Sequence, residues 1–306
     1  MTPALIPAII RLMDSTALTQ KHNKLQIHSE PNAKAHNVIF WLFIVGLLVL
    51  RLPILSWLEY VIPTSAAWVN PVYEIGTYLL IAALIWWERE RLADFHIDTL
   101  AVWMILLLRP LSTVIMNAFG ASNPFAFPRP LSLPFFIIAI ILVVLLSRKI
   151  IRPVRTTKNG LIWVAAGCGL GILFASGLSI LMVGMMHYPV PPFPGYIALI
   201  SPFYQLGYAA VSEEPLFRGF LWGGLKKAGV KDLWILLIQA VLFVVGHTHL
   251  LNTKQAVFNL SIVFLFALAA GIIAWRSRSI APSMAFHGFY NGSAIFLYWL
   301  ETALFA

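Results

Sequence analysis

The sequence is poor in charge and almost without cysteine. Only 11% of its 306 residues are Asp, Glu, Lys or Arg, whereas soluble domains carry about 25%. This scarcity of charge excludes an ordinary soluble globular protein. The single cysteine, Cys168, excludes an internal disulfide and a metal site built from several thiolates.

Apolar residues take the place of the missing charge. They make up 60% of the chain, and 13% of the residues are aromatic, a composition that excludes intrinsic disorder. The apolar runs are continuous, unlike the alternating pattern of a spanning strand, and most have about the 20 residues that a helix needs to cross a bilayer. We therefore predict an all-α fold, a polytopic transmembrane bundle of eight or nine spanning helices. The runs cover 38–58, 72–87, 99–118, 131–147, 160–186, 195–222, 233–251, 256–275 and 280–300.

The basic residues predict how this bundle is oriented. The chain has 21 Lys and Arg against 12 Asp and Glu, an excess that in a soluble protein would indicate nucleic acid. With a cytoplasmic N-terminus, most of these basic residues fall on the cytoplasmic side, and the outer loops hold only Arg129 and Lys254. Cytoplasmic loops of membrane proteins collect Lys and Arg. We predict a protein of the cell membrane with its N-terminus cytoplasmic and its C-terminus outside, in contact with lipid and without a nucleic-acid partner.

Three regions follow from the same pattern. Residues 1–36 are a polar cytoplasmic N-terminal segment that lacks the pattern of a removable signal peptide. Residues 37–158 hold the first transmembrane helices, to which no motif assigns a role. Residues 159–306 hold the remaining helices and almost all of the polar motifs. Within them, Gly167 and Gly171 lie four apart in an apolar run and predict a close contact between two helices.

Charged side chains inside spanning segments are costly and mark functional sites. Glu213 and Glu214 are adjacent within the sixth run, near its predicted cytoplasmic end. Glu214 and Arg218 are four apart, with the acid first, which is the favourable order for a helical ion pair. Glu213 lies about 100° around the helix and can face another partner. Pro215 predicts a helix break at this point. A purely structural ion pair is the competing interpretation.

Two histidine motifs follow on later helices. His247 comes directly after Gly246, whose small size would let a helix or a substrate approach closely. His287 and Asn291 are four apart, so both project from one helical face and could bind one oxygen between them. Taken singly, each histidine fits a packing role. Together with the two glutamates and the arginine, they have the parts of a hydrolytic site.

The order E-E-x-x-x-R, F-x-x-x-H and H-x-x-x-N resembles the CAAX prenyl protease and bacteriocin-processing family of intramembrane endopeptidases. The resemblance covers about residues 160–300, which makes 159–306 a protease core. It implies hydrolysis of a peptide bond in a membrane-associated protein or peptide. Glu213 resembles the glutamate that activates water, His247 its assisting histidine, and His287 with Asn291 the pair that stabilises the oxyanion. Glu214 and Arg218 resemble residues that maintain the geometry of the site.

Several alternatives remain open from the sequence. Members of this family have been described both as metalloproteases and as glutamate-dependent proteases. We favour no cofactor, and the alternative is a divalent metal such as zinc bound by Glu213, His247 and His287. The resemblance does not decide whether the substrate is prenylated. Two other functions compete with proteolysis: a catalytically silent scaffold or immunity protein that keeps the fold, and a proton-coupled transporter.

Overall fold

The fold is all-α, as predicted. The computed structural model describes residues 33–51, 66–118, 129–147, 158–185, 195–253 and 255–305. The described residues form nine helices and two single 3₁₀ turns, at Leu92–Phe95 and Thr248–Asn252. In chain order the helices are α1 (Ala33–Arg51), α2 (Ala66–Trp87), α3 (99–118), α4 (Arg129–Ser147), α5 (Lys158–Met185), α6 (195–227), α7 (Asp232–Val245), α8 (Ala256–Ser277) and α9 (Ala281–Phe305).

Each predicted apolar run corresponds to one of these helices. Three of the described stretches are long and apolar enough to cross a membrane: Lys34–Arg51, Lys158–Ile180 and Ala256–Ser277. Four shorter apolar helical stretches accompany them, at Ile75–Trp87, Thr99–Val114, Pro134–Leu145 and Asp232–Val245. These helices indicate a membrane protein. Helix α7, with 14 residues, is about 21 Å long and so falls short of the hydrocarbon thickness by itself.

The chain divides into two compact units, 1–41 and 42–306. Of the first unit the structure describes 33–41, the start of α1. Most of the predicted polar segment 1–36 therefore lies outside the described residues. All the packing reported below lies within the second unit.

Helix α5 has an inner face of small, buried residues and an outer face of large, exposed apolar residues. Gly167, Gly171 and Ala175 are buried, whereas Leu173 and Ile180 are 68% and 75% exposed. An exposed apolar stripe of this kind is unfavourable in water and matches lipid contact. The outer face of α5 therefore has the composition expected of a lipid-contacting surface.

The small face of α5 packs directly on α9. A Cβ atom on Gly171 would lie 2.5 Å from the backbone oxygen of Phe286 and 2.9 Å from the nitrogen of Tyr290, and one on Gly167 would overlap the oxygen of Pro282. The helix contact predicted from the two glycines is confirmed, and its partner is α9. Because the contact is made by backbone atoms, which cannot move aside as a side chain can, the position of α9 against α5 is tightly fixed.

The opposite side of α9 packs just as closely on α6. A Cβ on Gly288 would lie 2.6 Å from the Cα of Leu206, and one on Gly292 would overlap Pro202. The hydroxyl of Ser201 also donates a hydrogen bond to the backbone oxygen of Gly292, at 2.6 Å. Helix α9 is thus held between α5 and α6, which sets the position of every side chain that it carries.

Helix α6 does not break at Pro215. The chain stays helical there (φ −59°, ψ −39°), and Pro215–Leu221 forms a wider, π-helical turn. The predicted break is wrong because such a turn accommodates the proline, which lacks an N–H, without interrupting the helix. The helix extends to Lys227, five residues past the apolar run. Glu213 therefore lies close to the middle of α6 rather than near its end.

A second π-helical turn of α6, Leu206–Ala210, is held by α3. The buried guanidinium of Arg109 donates from Nη1 to the backbone oxygens of Tyr208, at 2.7 Å, and Gly207, at 3.4 Å. It also stacks over the Tyr208 ring, 4.7 Å from the centroid. Widened turns leave carbonyls poorly paired, and a buried carbonyl needs a donor. Arg109 supplies one, which gives this buried charge a structural role.

The segment between α2 and α3 packs against the end of α6. A Cβ on Gly223 would overlap the Phe95 ring, so glycine is required for this approach. The next residue, His96, has a left-handed backbone (φ 55°), and its carbonyl accepts a hydrogen bond from the N–H of Ile280, at 2.9 Å. This segment thereby connects α6 to the start of α9.

Burial lowers the pKa of the His96 imidazole below the ordinary histidine value. The nearby carboxylate of Asp232 raises it in part, and the cations of Arg278 and Lys226 lower it further. The net direction is downward because loss of hydration penalises the charged ring. His96 is therefore neutral in the folded protein at neutral pH.

Candidate active site

The centre of the site is a fully buried ion pair on α6. Glu214 and Arg218 are both 0% exposed, and Arg218 Nη1 donates to Glu214 Oε1 at 3.2 Å. The other end of the guanidinium donates from Nη2 to the backbone oxygen of Ala267, at 3.1 Å, and its carbon lies 4.6 Å from the centroid of the Phe243 ring. The pairing predicted from the four-residue spacing is confirmed.

Helix α9 delivers two more donors to Glu214. Ser283 Oγ donates to Oε2 at 2.8 Å, and His287 Nδ1 lies 2.8 Å from Oε1. A carboxylate only accepts hydrogen bonds, so Nδ1 of His287 carries the proton in this contact. The ring is thereby oriented with its other nitrogen, Nε2, directed away from Glu214. Glu214 thus sets the direction in which His287 can act.

The Nε2 of His287 faces Glu213, the neighbouring carboxylate. It lies 3.9 Å from Glu213 Oε2, which is too long for a direct hydrogen bond. That oxygen is buried and has no hydrogen-bond partner among the described residues. One water molecule can reach both atoms across such a distance. The sequence did not specify this contact, since Glu213 and His287 lie on different helices.

The other oxygen of Glu213 is engaged by a residue from the first helix. Oε1 forms an ion pair with Nη2 of Arg51, the last residue of α1. The same Arg51 nitrogen lies 3.4 Å from Nε2 of His247. Nδ1 of His247 is 2.8 Å from the backbone oxygen of Phe243, and a carbonyl only accepts, so Nδ1 carries the proton and Nε2 accepts from Arg51.

Aromatic rings enclose the polar groups. The His287 ring lies 4.7 Å from the Phe266 ring and 6.1 Å from the Phe243 ring, both at steep angles. Phe243 in turn lies 4.8 Å from the ring of His247. Apolar walls limit access of bulk water and strengthen the electrostatic interactions inside. Phe243, from the F-x-x-x-H motif, therefore lies between the rings of His247 and His287.

Five of the six predicted site residues are joined by these contacts: Glu213, Glu214, Arg218, His247 and His287. Asn291 is the exception. It is half-buried one turn beyond His287 on α9, and no hydrogen bond connects it to the other five in the part of the chain described. His247 is connected to Glu213 through Arg51 rather than directly. The cluster is therefore tighter around Glu213, Glu214 and His287 than the motifs alone imply.

The alternative zinc set does not fit this arrangement. Its three ligands would be Glu213, His247 and His287, yet the Arg51 guanidinium lies against both Glu213 and His247. A second cation there would be repelled by the first. Across the described ranges, no three His, Cys, Asp or Glu side chains converge as metal ligands do. We derive no step through a metal.

Two residues of the cluster were missed from the sequence. Arg51 lies within the first apolar run, 38–58, and no motif assigned it to the site. Its position in an apolar run was the available signal, because a charge there needs a partner. Ser283 lies four residues before His287 and so on the same face of α9. A serine carries no such signal, because it occurs in many packing positions of membrane helices.

Comparison with known families supports the assignment of this region. A family model described as Type II CAAX prenyl endopeptidase Rce1-like matches residues 195–293. Residues 195–293 form an Rce1-like domain. The domain begins with α6 and ends within α9, so it contains all six predicted site residues but not Arg51. The chain matches no curated protein and no solved structure. The family predicted from the three motifs is confirmed over 195–293, a shorter stretch than the predicted 160–300, and the Rce1-like domain implies an intramembrane protease.

Proposed function

We propose that this protein is an intramembrane endopeptidase that hydrolyses a peptide bond in a membrane-associated protein or peptide. The observation that carries the proposal is the 3.9 Å between Glu213 Oε2 and His287 Nε2. A water molecule between these two atoms has a carboxylate to accept its proton and an imidazole to orient it. The Rce1-like domain supports the same reaction class.

The reaction follows from these groups. Glu213 takes a proton from the water, and the water oxygen forms a bond to the substrate carbonyl carbon. The negative charge that develops on the carbonyl oxygen is stabilised by N–H donors on one face of α9: the side-chain amide of Asn291 and the Nε2–H of a His287 ring protonated on both nitrogens, because its Nδ1–H donates to Glu214. Glu213 then passes its proton to the amide nitrogen as the carbon–nitrogen bond breaks. The products are a new carboxyl end and a new amine end.

The remaining residues hold this geometry in the proposal. Glu214, paired with Arg218, fixes the His287 ring through the 2.8 Å contact at Nδ1. His247 contacts Arg51, which pairs with Glu213. The basic loops support a cytoplasmic N-terminus and an outer C-terminus, and nine helices support eight or nine crossings. A domain division into 1–36, 37–158 and 159–306 remains part of the proposal.

The test is cleavage of paired fluorogenic peptides by purified protein in lipid vesicles. One peptide carries a farnesyl group on a cysteine near its C-terminus, and the other is identical but unmodified. We expect Glu213→Gln to lower kcat by about 10²–10⁴-fold, the usual contribution of a general base. Glu90→Gln is the matched control, because the Glu90 side chain is 85% exposed. Cleavage that is equal in wild type and Glu213→Gln, or absent from both, would contradict the proposal.

A further inference from the structure

Arg51 is partly buried at the polar site although it comes from a helix outside the Rce1-like domain. It ends α1, and its side chain is 19% exposed. Its Nη2 contacts both Glu213 Oε1 and His247 Nε2, the latter across 196 positions of sequence. A buried cation needs partners of this kind. Here those partners are the glutamate and the second histidine of the proposed site.

The structure makes room for this side chain. A Cβ on Gly246 would lie 3.6 Å from both Cγ and Nε of Arg51, so the arginine stem runs along the glycine. The glycine was predicted to admit a helix or a substrate, and it admits Arg51, the last residue of helix α1. His247, the next residue, turns its Nε2 toward the guanidinium, since its Nδ1 is bonded to the Phe243 carbonyl. The approach of Arg51 is therefore supported from two sides.

The two oxygens of Glu213 have different surroundings. Oε1 is paired with Arg51, while Oε2 has no hydrogen-bond partner in the described chain and lies 3.9 Å from His287 Nε2. A carboxylate bound by one oxygen cannot rotate freely, so the other oxygen keeps its direction.

We propose that Arg51 is a positioning residue: it holds Glu213 by Oε1 so that Oε2 faces the water between Glu213 and His287. This inference rests on the proposed function. It assigns a role to the first helix, which the motifs leave without one. His247 then acts on Glu213 through Arg51, because its Nε2 accepts from the nitrogen that binds the carboxylate. Arg51 need not touch the substrate to have this effect.

The expected effect is on turnover rather than on substrate binding. Loss of positioning by about 1 Å can cost about 10²-fold in rate. We therefore expect Arg51→Ala to lower kcat about 100-fold while KM changes little. Guanidinium ions at millimolar concentration should restore part of the activity of Arg51→Ala, because they can occupy the space of the lost group. Arg51→Lys should retain more activity than Arg51→Ala because it keeps the charge.

The assay uses the full chain in vesicles and the peptide pair described above. Arg276→Ala is the matched control, since Arg276 also lies at the end of a helix and stacks on a ring, that of Trp275 at 4.9 Å. It should cleave like wild type, with or without guanidinium. Arg51→Met keeps the apolar stem and serves where Arg51→Ala does not fold. It should show the same fall in kcat, and its melting temperature should fall less than that of Arg51→Ala, because its stem still packs along Gly246.

The outcomes separate this inference from the proposed function. If wild type cleaves and Glu213→Gln does not, the proposed function stands. Wild-type kcat in both Arg51→Ala and Arg51→Met would then overturn the role of Arg51 alone. Faster cleavage by the Arg51 variants would also overturn it, because Arg51 would then be an inhibitory plug on Glu213. A fall in kcat that guanidinium leaves unchanged, in a variant that melts early, would reduce Arg51 to a structural residue.

Discussion

Removing the charge of Glu214 should destabilise the protein strongly, because Arg218 would be left as an unpaired cation in the interior. Both side chains are fully buried, and Glu214 accepts from Arg218, Ser283 and His287. Breaking a buried ion pair from one side costs about 3–5 kcal/mol. Glu214→Gln has nearly the same volume and creates no cavity, so this electrostatic cost is the main expected effect on the free energy of unfolding.

A double-mutant cycle isolates the ion pair from the other contacts. Arg218→Met should cost a similar amount, because it leaves Glu214 charged and without its cation. In the double variant Glu214→Gln/Arg218→Met no unpaired charge remains. The amide oxygen of the new side chain can accept from His287 Nδ1, and its NH2 group can donate to Ser283 Oγ, which still donates to the Ile280 carbonyl. The double variant should therefore lose about 2–3 kcal/mol less than the sum of the single losses.

The measurement is unfolding of the detergent-solubilised protein by SDS, followed by the fluorescence of its 11 tryptophans. Asp232→Asn is the control, because the Lys226–Asp232 pair is shorter, at 2.6 Å, but more exposed. Its loss should cost at most about 1 kcal/mol. Single losses that add within about 0.5 kcal/mol, or an equal cost for the exposed pair, would refute the reasoning.

Two further changes test the packing of α9 and the neutral state of His96. Gly171→Ala should lower both stability and kcat, because its Cβ would lie 2.5 Å from the backbone of α9, which carries His287. Gly169→Ala meets no atom within 4 Å and should be neutral or slightly stabilising; equal melting temperatures would contradict this. Because burial lowers the pKa of His96, its contribution to stability is complete above about pH 6.5 and falls with acidification. His96→Asn, which tolerates the left-handed φ, should flatten the melting temperature between about pH 5 and 7; an unchanged slope would refute it.

Much of the candidate site could be predicted from local sequence patterns. The spacing of Glu214 and Arg218 predicted their pairing, because residues four apart always share a helical face. The same holds for Gly167 and Gly171, whose small side chains predicted a close helix contact. Low charge in the apolar runs also made the remaining charges conspicuous, since each must find a partner away from water. These inferences need only one helix and the solvent around it.

Other predictions from local pattern were incomplete or wrong. Pro215 was expected to break α6, but a π-helical turn keeps the helix intact. The spacing of His287 and Asn291 predicted a shared face of α9, but it did not predict that Nδ1 of His287 donates to Glu214. The hydrogen-bond partner of a ring nitrogen depends on which helix faces it. A four-residue spacing therefore predicts a shared face but not what that face meets.

The sequence by itself determined the all-α class, the apolar helices and the family of residues 195–293. It also singled out the glutamates and histidines of the candidate site. It did so because hydrophobic periodicity and the cost of charge in an apolar run are short-range properties. Only the tertiary structure decided that α9 lies between α5 and α6, that Ser283 donates a hydrogen bond to Glu214, and that Arg51 pairs with Glu213. These contacts join residues far apart in the chain, and their partners are selected by the packing of whole helix faces. In the sequence, Arg51 is a charged residue of an apolar run with no evident partner. The packing of the helices places it against Glu213 and His247.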